Sequence, residues 1–487
     1  MTILFYCLLF LDRCSSNFSG TLGFFLANVA GAVGLGNLWG FPYKMGRGGG
    51  FPFLIIYLVA VFAIGIPIVI AEYGFGRNFR VGPVKAYAKV NKKWSFVGWL
   101  HEITCILVMG FYALIVGYLL KYMCLYFLAI FGIGSFAATD GASYFVGMIS
   151  SPVEPLIWTA LVLGVTYIII RNDFAKGYEK ACKVLLPVLF VMLVIVAVRS
   201  CTLPGAVEGL KYMFQPNLSA FREVGFFGVF ALAVVQMWFS INIGFGTNIF
   251  LSSFMPEETS IPKQAIVIPI ADMVVAVLAG LAIMPAVFAY GLDPTSGPSL
   301  LFVTLKNVFD DMPAGNLFGF IFFVSAVAAG LSTSIGITGA LVPLGTEELG
   351  WNMEKSTAVS CLLSFLLSIS VSLGYGLLSH VHPLAWLGER FSDYDMLDSI
   401  DFLGENVFLS FGALFMVIFI GWVWKPEAVL AEVEKNGTFS WGCSCFATSR
   451  RWRPSSSRST PSVSCNTRRM TYGKDAGFTK LPGKTGA

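Results

Sequence analysis

From about residue 22 onward, apolar residues come in long unbroken runs, not in the alternation of a half-buried strand or the one-sided stripe of a soluble helix. A helix needs about 20 mostly apolar residues to cross the hydrocarbon of a bilayer. Such runs lie at about 22–45, 51–75, 96–131, 153–171, 182–201, 223–252, 264–291, 316–345, 356–379 and 402–424. In lipid a backbone has to satisfy its own hydrogen bonds, and these runs are too long and too evenly apolar for barrel strands. They predict an all-α polytopic membrane protein of about ten transmembrane helices. The expected organisation is an N-terminal cytoplasmic segment (1–21), one membrane domain (22–442) and a separate tail (443–487).

Composition agrees with the pattern and narrows the function. Hydrophobic residues make up 56% of the 487 and charged residues 12%, against about 45–50% and about 25% in soluble domains. That is too little polar side chain to cover a soluble surface, which excludes an ordinary cytosolic enzyme, a nucleic-acid binder and a disordered chain. The formal charge is +4, but the tail from Cys443 carries nine basic residues against one acid, Asp475, so the basic balance belongs to the tail. The tail reads either as a disordered segment drawn to anionic lipid or as the product of a reading-frame slip near Trp441. The ten cysteines show no metal-ligand spacing, and no disulfide framework or zinc site is expected. The three histidines, His101, His380 and His382, have no nucleophile or metal constellation in the sequence around them, so the chain is not expected to be an enzyme. The apolar stretch Ile3–Leu11 lacks a basic flank and a clear cleavage site, and does not read as a signal peptide.

Orientation follows from Lys and Arg in the short loops. The second loop holds Arg77, Arg80, Lys85, Lys89, Lys92 and Lys93, and the fourth holds Arg171, Lys176, Lys180 and Lys183, while the third has neither residue type. Both termini are therefore expected in the cytoplasm, with the protein in the cell (plasma or inner) membrane.

Two spans contain residues that a lipid-facing helix avoids. The first reads from Asn28 through Gly31, Gly34, Gly36 and Asn37 to Gly40 and Pro42. The sixth reads Gln236, Ser240, Asn242, Gly244, Gly246 and Asn248 within an apolar run. Spans one and six hold the same place in two groups of five, about 22–201 and about 223–424. A matched pair of Gly-interrupted spans is the sequence pointer to a transporter site, because an unwound turn frees carbonyls for a cation and N–H groups for a carboxylate. Small-residue helix packing accounts for Gly31 and Gly36 but not for Asn37, Asn242 or the matched positions. Asp272 stands alone in an apolar run, and an acid inside a membrane is a functional hypothesis by default.

These residues resemble the neurotransmitter:sodium symporter family, in its bacterial amino-acid transporter branch. The resemblance is carried by Gly23 to Ala27, Ala32 to Trp39, Phe41 to Tyr43 and Gly48 to Gly50 in the first span. Glu72 with Gly76 and Arg77, Phe111 and Tyr112, Gln236 to Gly246, and Ala329 to Ser334 extend it. It implies an inverted repeat of five plus five helices with discontinuous first and sixth helices. It also implies two sodium sites, the first formed by the Ala32 carbonyl, Asn37, Ser240, Asp272 and the substrate carboxylate. The second takes carbonyls of Ala30, Val33 and Ala329 with hydroxyls of Ser332 and Thr333; all-oxygen shells suit a hard cation. The substrate carboxylate is expected at the N–H groups of Leu35 and Gly36 and the Tyr112 hydroxyl. Its amine is expected at carbonyls of Ala32, Phe239 and Ser240, with Asn242 nearby. Val108, Phe239, Phe245 and Ile337 are expected to line the side-chain pocket, with Thr333 beside it. Taken singly, Tyr112, Phe239 and Phe245 read equally well as core aromatics, and Ser332 and Thr333 as hydroxyls bonded back to their own helix.

The family usually has Asn at the position of Asp272, and its chloride-dependent members carry Ser one turn later, where this chain has Ala276. Asp272 is therefore expected to replace chloride. Gly34 stands where monoamine transporters carry Asp, which points to a substrate that brings its own carboxylate. The gates depart from the pattern. Asp401 is present without the Arg expected at Gly40, so Lys44 or Arg47 substitutes, or Phe239 and Tyr112 close the outside alone. On the inner side Glu347 is kept, while the usual Arg and Trp fall on Ser15 and Phe18, with Arg13 out of register. The expectation is a chloride-independent sodium symporter for a neutral, hydrophobic amino acid, monomeric or homodimeric. A sodium-dependent sensor or channel on the same fold, or an inactive truncated transporter, are the alternatives.

Overall fold

The computed structural model describes residues 20–436, save 135, 137, 138, 173, 220 and 298. The basic tail and nearly all of the N-terminal segment, with Arg13, Ser15 and Phe18, lie outside the described residues.

The first half comprises α1 (Thr21–Ala32), α2 (Gly36–Arg47), α3 (Phe51–Phe79), α4 (Pro83–Val90), α5 (Lys92–Ile130), α6 (Gly141–Ile149), α7 (Glu154–Asn172), α8 (Phe174–Cys201) and α9 (Ala206–Phe214). The second comprises α10 (Phe226–Ser240), α11 (Thr247–Ser253), α12 (Ile261–Ala289), α13 (Ser299–Asp310), α14 (Gly315–Glu348), α15 (Met353–Gly374), α16 (Met396–Trp424) and α17 (Pro426–Val433). Seven of these helices (α3, α5, α7, α12, α14, α15 and α16) are each long and apolar enough to cross a membrane. Beside them lie two bent helix pairs and one shorter apolar helix, α10. α1 and α2 meet at a bend of 43°, α8 is followed by α9 folded back at 113°, and α10 and α11 are separated by a non-helical stretch. With each bent pair counted as one span, up to nine of the described helices are long and apolar enough to cross a membrane, and the sixth expected span holds the shorter apolar helix α10 followed by α11.

Both interruptions have local causes. Between α1 and α2 the chain leaves helical geometry at Val33, whose ψ is 89°. Between α10 and α11, Asn242, Gly244 and Gly246 have φ of 58°, 81° and 75°. A helix cannot pass through left-handed residues; Gly adopts them freely and Asn tolerates them. The two breaks fall in the first and the sixth of the expected spans.

Span three, α5, forms the centre and packs along α7, α14 and α15, while α12 packs on both α1 and α2. Large apolar side chains on α3, α7, α10, α15 and α16, such as Val59, Ile157, Phe227, Leu366 and Trp422, are exposed, as faces turned to lipid are. One loop expectation needs correction. α3 runs on to Phe79, so Arg77 is helical and 3% exposed. Its guanidinium donates to Glu432 Oε1 at 2.7 Å and to the Thr259 carbonyl at 2.7 Å, tying α3 to α17. The remaining basic residues of that loop keep the charge asymmetry.

Candidate functional site

The two breaks are joined through side chains at mid-membrane. Gln236 of α10 donates to the Gly36 carbonyl at 2.8 Å. Asn37 of α2 donates through Nδ2 to Asp272 Oδ1 at 2.8 Å and to the Asp272 carbonyl at 3.0 Å, while its Oδ1 accepts from the Gly34 N–H at 3.3 Å. Ser240, the last residue of α10, donates to Asp272 Oδ2 at 2.6 Å. One carboxylate on α12 thus holds both broken spans, one oxygen for each, and Asn37, Ser240 and Asp272 are at most 1% exposed. Oxygens of Ser240 and Asp272 meet there beside the Asn37 amide, whose nitrogen faces the carboxylate while its oxygen turns to Gly34; oxygen ligands are what a sodium ion takes.

A second centre lies where α1 meets α14. Thr333 Oγ1 is 3.0 Å from the Gly31 carbonyl, 3.3 Å from that of Ala329 and 3.5 Å from that of Ala30. Ser332 instead bonds back to the Ala328 carbonyl at 2.8 Å, which is the local alternative for that hydroxyl. Val33 occupies the turn that ends α1.

The residues expected to hold the substrate adjoin these centres. The Leu35 N–H donates to Tyr112 Oη at 3.2 Å. A Cβ at Gly34 would lie 2.5 Å from both Tyr112 Oη and Thr333 Oγ1, so the backbone approaches both hydroxyls closely enough to require Gly. Phe239 and Phe245 pack edge to face at 5.7 Å. Val108 and Ile337 are buried one helical turn from Tyr112 and Thr333. Ala32 and Asn242 are buried at the two breaks. Of the carbonyls expected to face an amine, that of Phe239 accepts from the Asn242 N–H at 3.3 Å. A Cβ at Gly36 would lie 2.9 Å from the Phe239 ring. Gly36→Ala is therefore expected to displace that ring at a cost of about 1–3 kcal/mol, or about 5- to 150-fold in ligand affinity, read by binding isotherms.

The outer side differs from the family pattern in an ordered way. Lys44 forms a buried ion pair with Glu405, and its ammonium lies 5.2 Å from the centre of the Phe239 ring. Arg47 stays on Tyr43, donating to its hydroxyl at 3.2 Å. Among the described residues no ion pair includes Asp401. The base lies one turn along α2 from Gly40, and Asp401 lies beside the pair, facing Lys44 and hydrogen-bonded to Glu405. On the inner side Glu347 accepts the Gly82 N–H at 3.2 Å on each oxygen.

Glu72 is the residue whose part sequence reasoning missed. Fully buried on α3, it accepts from the Gly244 N–H at 3.2 Å and from Asn248 Nδ2 at 2.7 Å. It anchors the unwound stretch before α11. The signal was the one used for Asp272, an acid inside an apolar run.

Comparison with known proteins agrees with this geometry. The Sodium:neurotransmitter symporter family matches residues 15–131 and 147–443. An uncharacterized sodium-dependent transporter of Bacillus subtilis, YhdH, is 33% identical over 425 residues, 86% of this chain and 90% of that protein. One from Haemophilus influenzae is 31% identical over 83% of this chain and 88% of its own length. Among solved structures, MhsT in complex with L-phenylalanine superposes with a TM-score of 0.82 at 34% identity, covering 90% of this chain and 97% of that one. By sequence and by fold the chain belongs to the sodium:neurotransmitter symporter family, as a multi-pass, sodium-dependent membrane transporter and not an enzyme.

Proposed function

We propose that this transporter is a symporter that imports a neutral, hydrophobic amino acid by alternating access, driven by two sodium ions and independent of chloride. The observation that carries the reading is the Asp272 carboxylate, which joins Asn37 and Ser240 and so joins both broken spans. Asp272, Asn37, Ser240 and the Ala32 carbonyl are assigned to the first sodium, with the substrate carboxylate completing the shell. Carbonyls of Ala30, Val33 and Ala329, with Ser332 and Thr333, are assigned to the second, for which Ser332 must turn from its own helix. A fixed carboxylate at the first site supplies the negative charge that chloride brings elsewhere, and Ala276 offers no hydroxyl to hold chloride.

The substrate carboxylate is placed at Leu35, Gly36 and Tyr112. Gly34 leaves no acid for a lone amine, and Val108, Phe239, Phe245 and Ile337 give an apolar pocket. The complex of MhsT with L-phenylalanine supports the same substrate class. Because the substrate carboxylate is itself a sodium ligand, the two should bind cooperatively and reciprocally. Each sodium entering at −100 mV releases about 2.3 kcal/mol, and a tenfold gradient adds about 1.4. Two ions supply about 7 kcal/mol, enough for about 10⁵-fold accumulation of a zwitterion under perfect coupling.

Lys44 and Glu405 are assigned as the outer closure over Phe239, with Glu347 on the cytoplasmic side. Lys44→Met leaves Glu405 buried without a partner and should cost transport at least about tenfold. Lys44→Met with Glu405→Leu, which removes both charges, should recover part of the loss, measured as initial uptake rate. The test of the reading is thermal unfolding of the purified protein against all twenty amino acids in sodium and in potassium. A ligand at about 100 times its dissociation constant stabilises by about 2.7 kcal/mol. Stabilisation by one or a few neutral amino acids, in sodium only, is expected. Sodium-independent stabilisation, or none, would reject the coupled site.

A further inference from the structure

Five carboxylic acids are buried among the described residues: Glu72, Glu102, Asp272, Glu405 and Glu432. Four have donors. Glu72 takes Gly244 and Asn248, Asp272 takes Asn37 and Ser240, Glu405 takes Lys44, and Glu432 takes Arg77. Glu102 has none. It is 2% exposed on α5, and neither carboxyl oxygen has a hydrogen-bond partner. Among the described residues no ion pair includes it.

Its surroundings offer no cation to balance a charge. The charged group that faces it is another acid, Glu347 at the end of α14. On its own helix stand His101, with neither ring nitrogen partnered, and Cys105, which donates to the Phe245 carbonyl at 3.1 Å. From α11 comes Thr247, 1% exposed, whose hydroxyl is also unpartnered. From α4, Tyr87 packs edge-on against His101 at 5.7 Å. From α16 comes the Gly412 backbone, where a Cβ would lie 3.0 Å from the His101 ring. Glu102 precedes Tyr112 by ten residues, about 15 Å along α5 toward Lys92 and Lys93, the end assigned to the cytoplasm.

An ionised carboxylate without donor or cation is not stable in an apolar interior; it takes up a proton instead. The arrangement here therefore fits a neutral acid. α4 packs along this end of α5, with Val84 against Gly98 one turn from Glu102; if α4 moves away from α5, water reaches Glu102 and the acid ionises. We propose that Glu102 is a proton-binding site on the inner path, protonated while α4 is closed against α5 and ionised when that side opens. The proposal rests on the alternating-access reading above. Its consequence has a fixed sign: the closed state holds the proton, so low pH favours closure and rising pH favours inner opening, by at most tenfold per pH unit for one proton.

The test is hydrogen–deuterium exchange of the 83–90 segment in the full-length protein in detergent and sodium, for the native protein and Glu102→Gln. The ratio of the two rates at each pH cancels the intrinsic pH dependence of exchange. The ratio should rise at least about tenfold between about pH 6 and pH 9. Glu102→Met, also neutral, serves in the same comparison if Glu102→Gln does not fold, and Glu102→Asp measured against either neutral variant should restore the rise. A ratio that stays flat across this range would overturn the proposal. Protection of residues 21–47 by sodium over potassium is read in the same experiment, so failure of the sodium site is seen separately from failure of the proton site.

Discussion

Asp272→Asn should weaken sodium-dependent binding by about 30- to 1,000-fold in chloride-free buffer, equivalent to about 2–4 kcal/mol. Two donors point at this side chain, Asn37 Nδ2 on one oxygen and Ser240 Oγ on the other. An amide has one oxygen, so one donor would face an NH₂ group, and the full charge that attracts sodium is also gone. The family usually has Asn here, and in this account the missing charge then comes from chloride. Because Ala276 offers no hydroxyl to hold chloride, chloride should restore part of the binding only when Asp272→Asn is combined with Ala276→Ser, and should have no effect on the native protein. A sodium titration of thermal stability in chloride and in gluconate decides it. An unchanged sodium midpoint in the variant would remove Asp272 from the site.

Glu72→Gln is expected to reduce uptake at least about tenfold while the protein still folds, because a hydrogen bond to a charged acceptor is worth about 1.5–3 kcal/mol. Glu72 receives the Gly244 N–H and the Asn248 amide, and the same amide reaches the Ile241 carbonyl at 2.9 Å. These bonds satisfy backbone groups that the left-handed residues 242, 244 and 246 leave outside any helix. If the two side chains act as a unit, adding Asn248→Ala to Glu72→Gln should cost much less than Asn248→Ala costs alone. Fully additive losses in initial uptake rate would show that Glu72 acts elsewhere.

The spans and the two breaks were legible in the sequence for a physical reason. Lipid permits few alternatives to an apolar helix, so Asn37, Asn242 and the glycines stood out against their runs. Asp272 was legible on the same ground, and the structure places it between Asn37 and Ser240. Glu72 and Glu102 met the same criterion. Glu72 was noted only as part of a motif, and Glu102 was not singled out, because which acid has donors depends on helices distant in sequence. Glu72 is bonded across 172 and 176 positions to Gly244 and Asn248. The outer ion pair was half legible. Lys44, Arg47 or closure by Phe239 and Tyr112 alone were all open from the sequence; the structure pairs Lys44 with Glu405, a partner the sequence did not single out, with Asp401 beside them. The pair depends on the meeting of α2 with α16, which no single helix displays.

The central claim is sodium-driven accumulation of a neutral amino acid, and the direct measurement is uptake of labelled L-phenylalanine and L-leucine into proteoliposomes. With sodium gluconate outside and potassium gluconate inside, at least one should accumulate above its external concentration and leak out when the sodium gradient is collapsed. Equilibration without accumulation, by a protein that binds the same amino acid in sodium, would contradict the account and favour a channel or sensor on this fold.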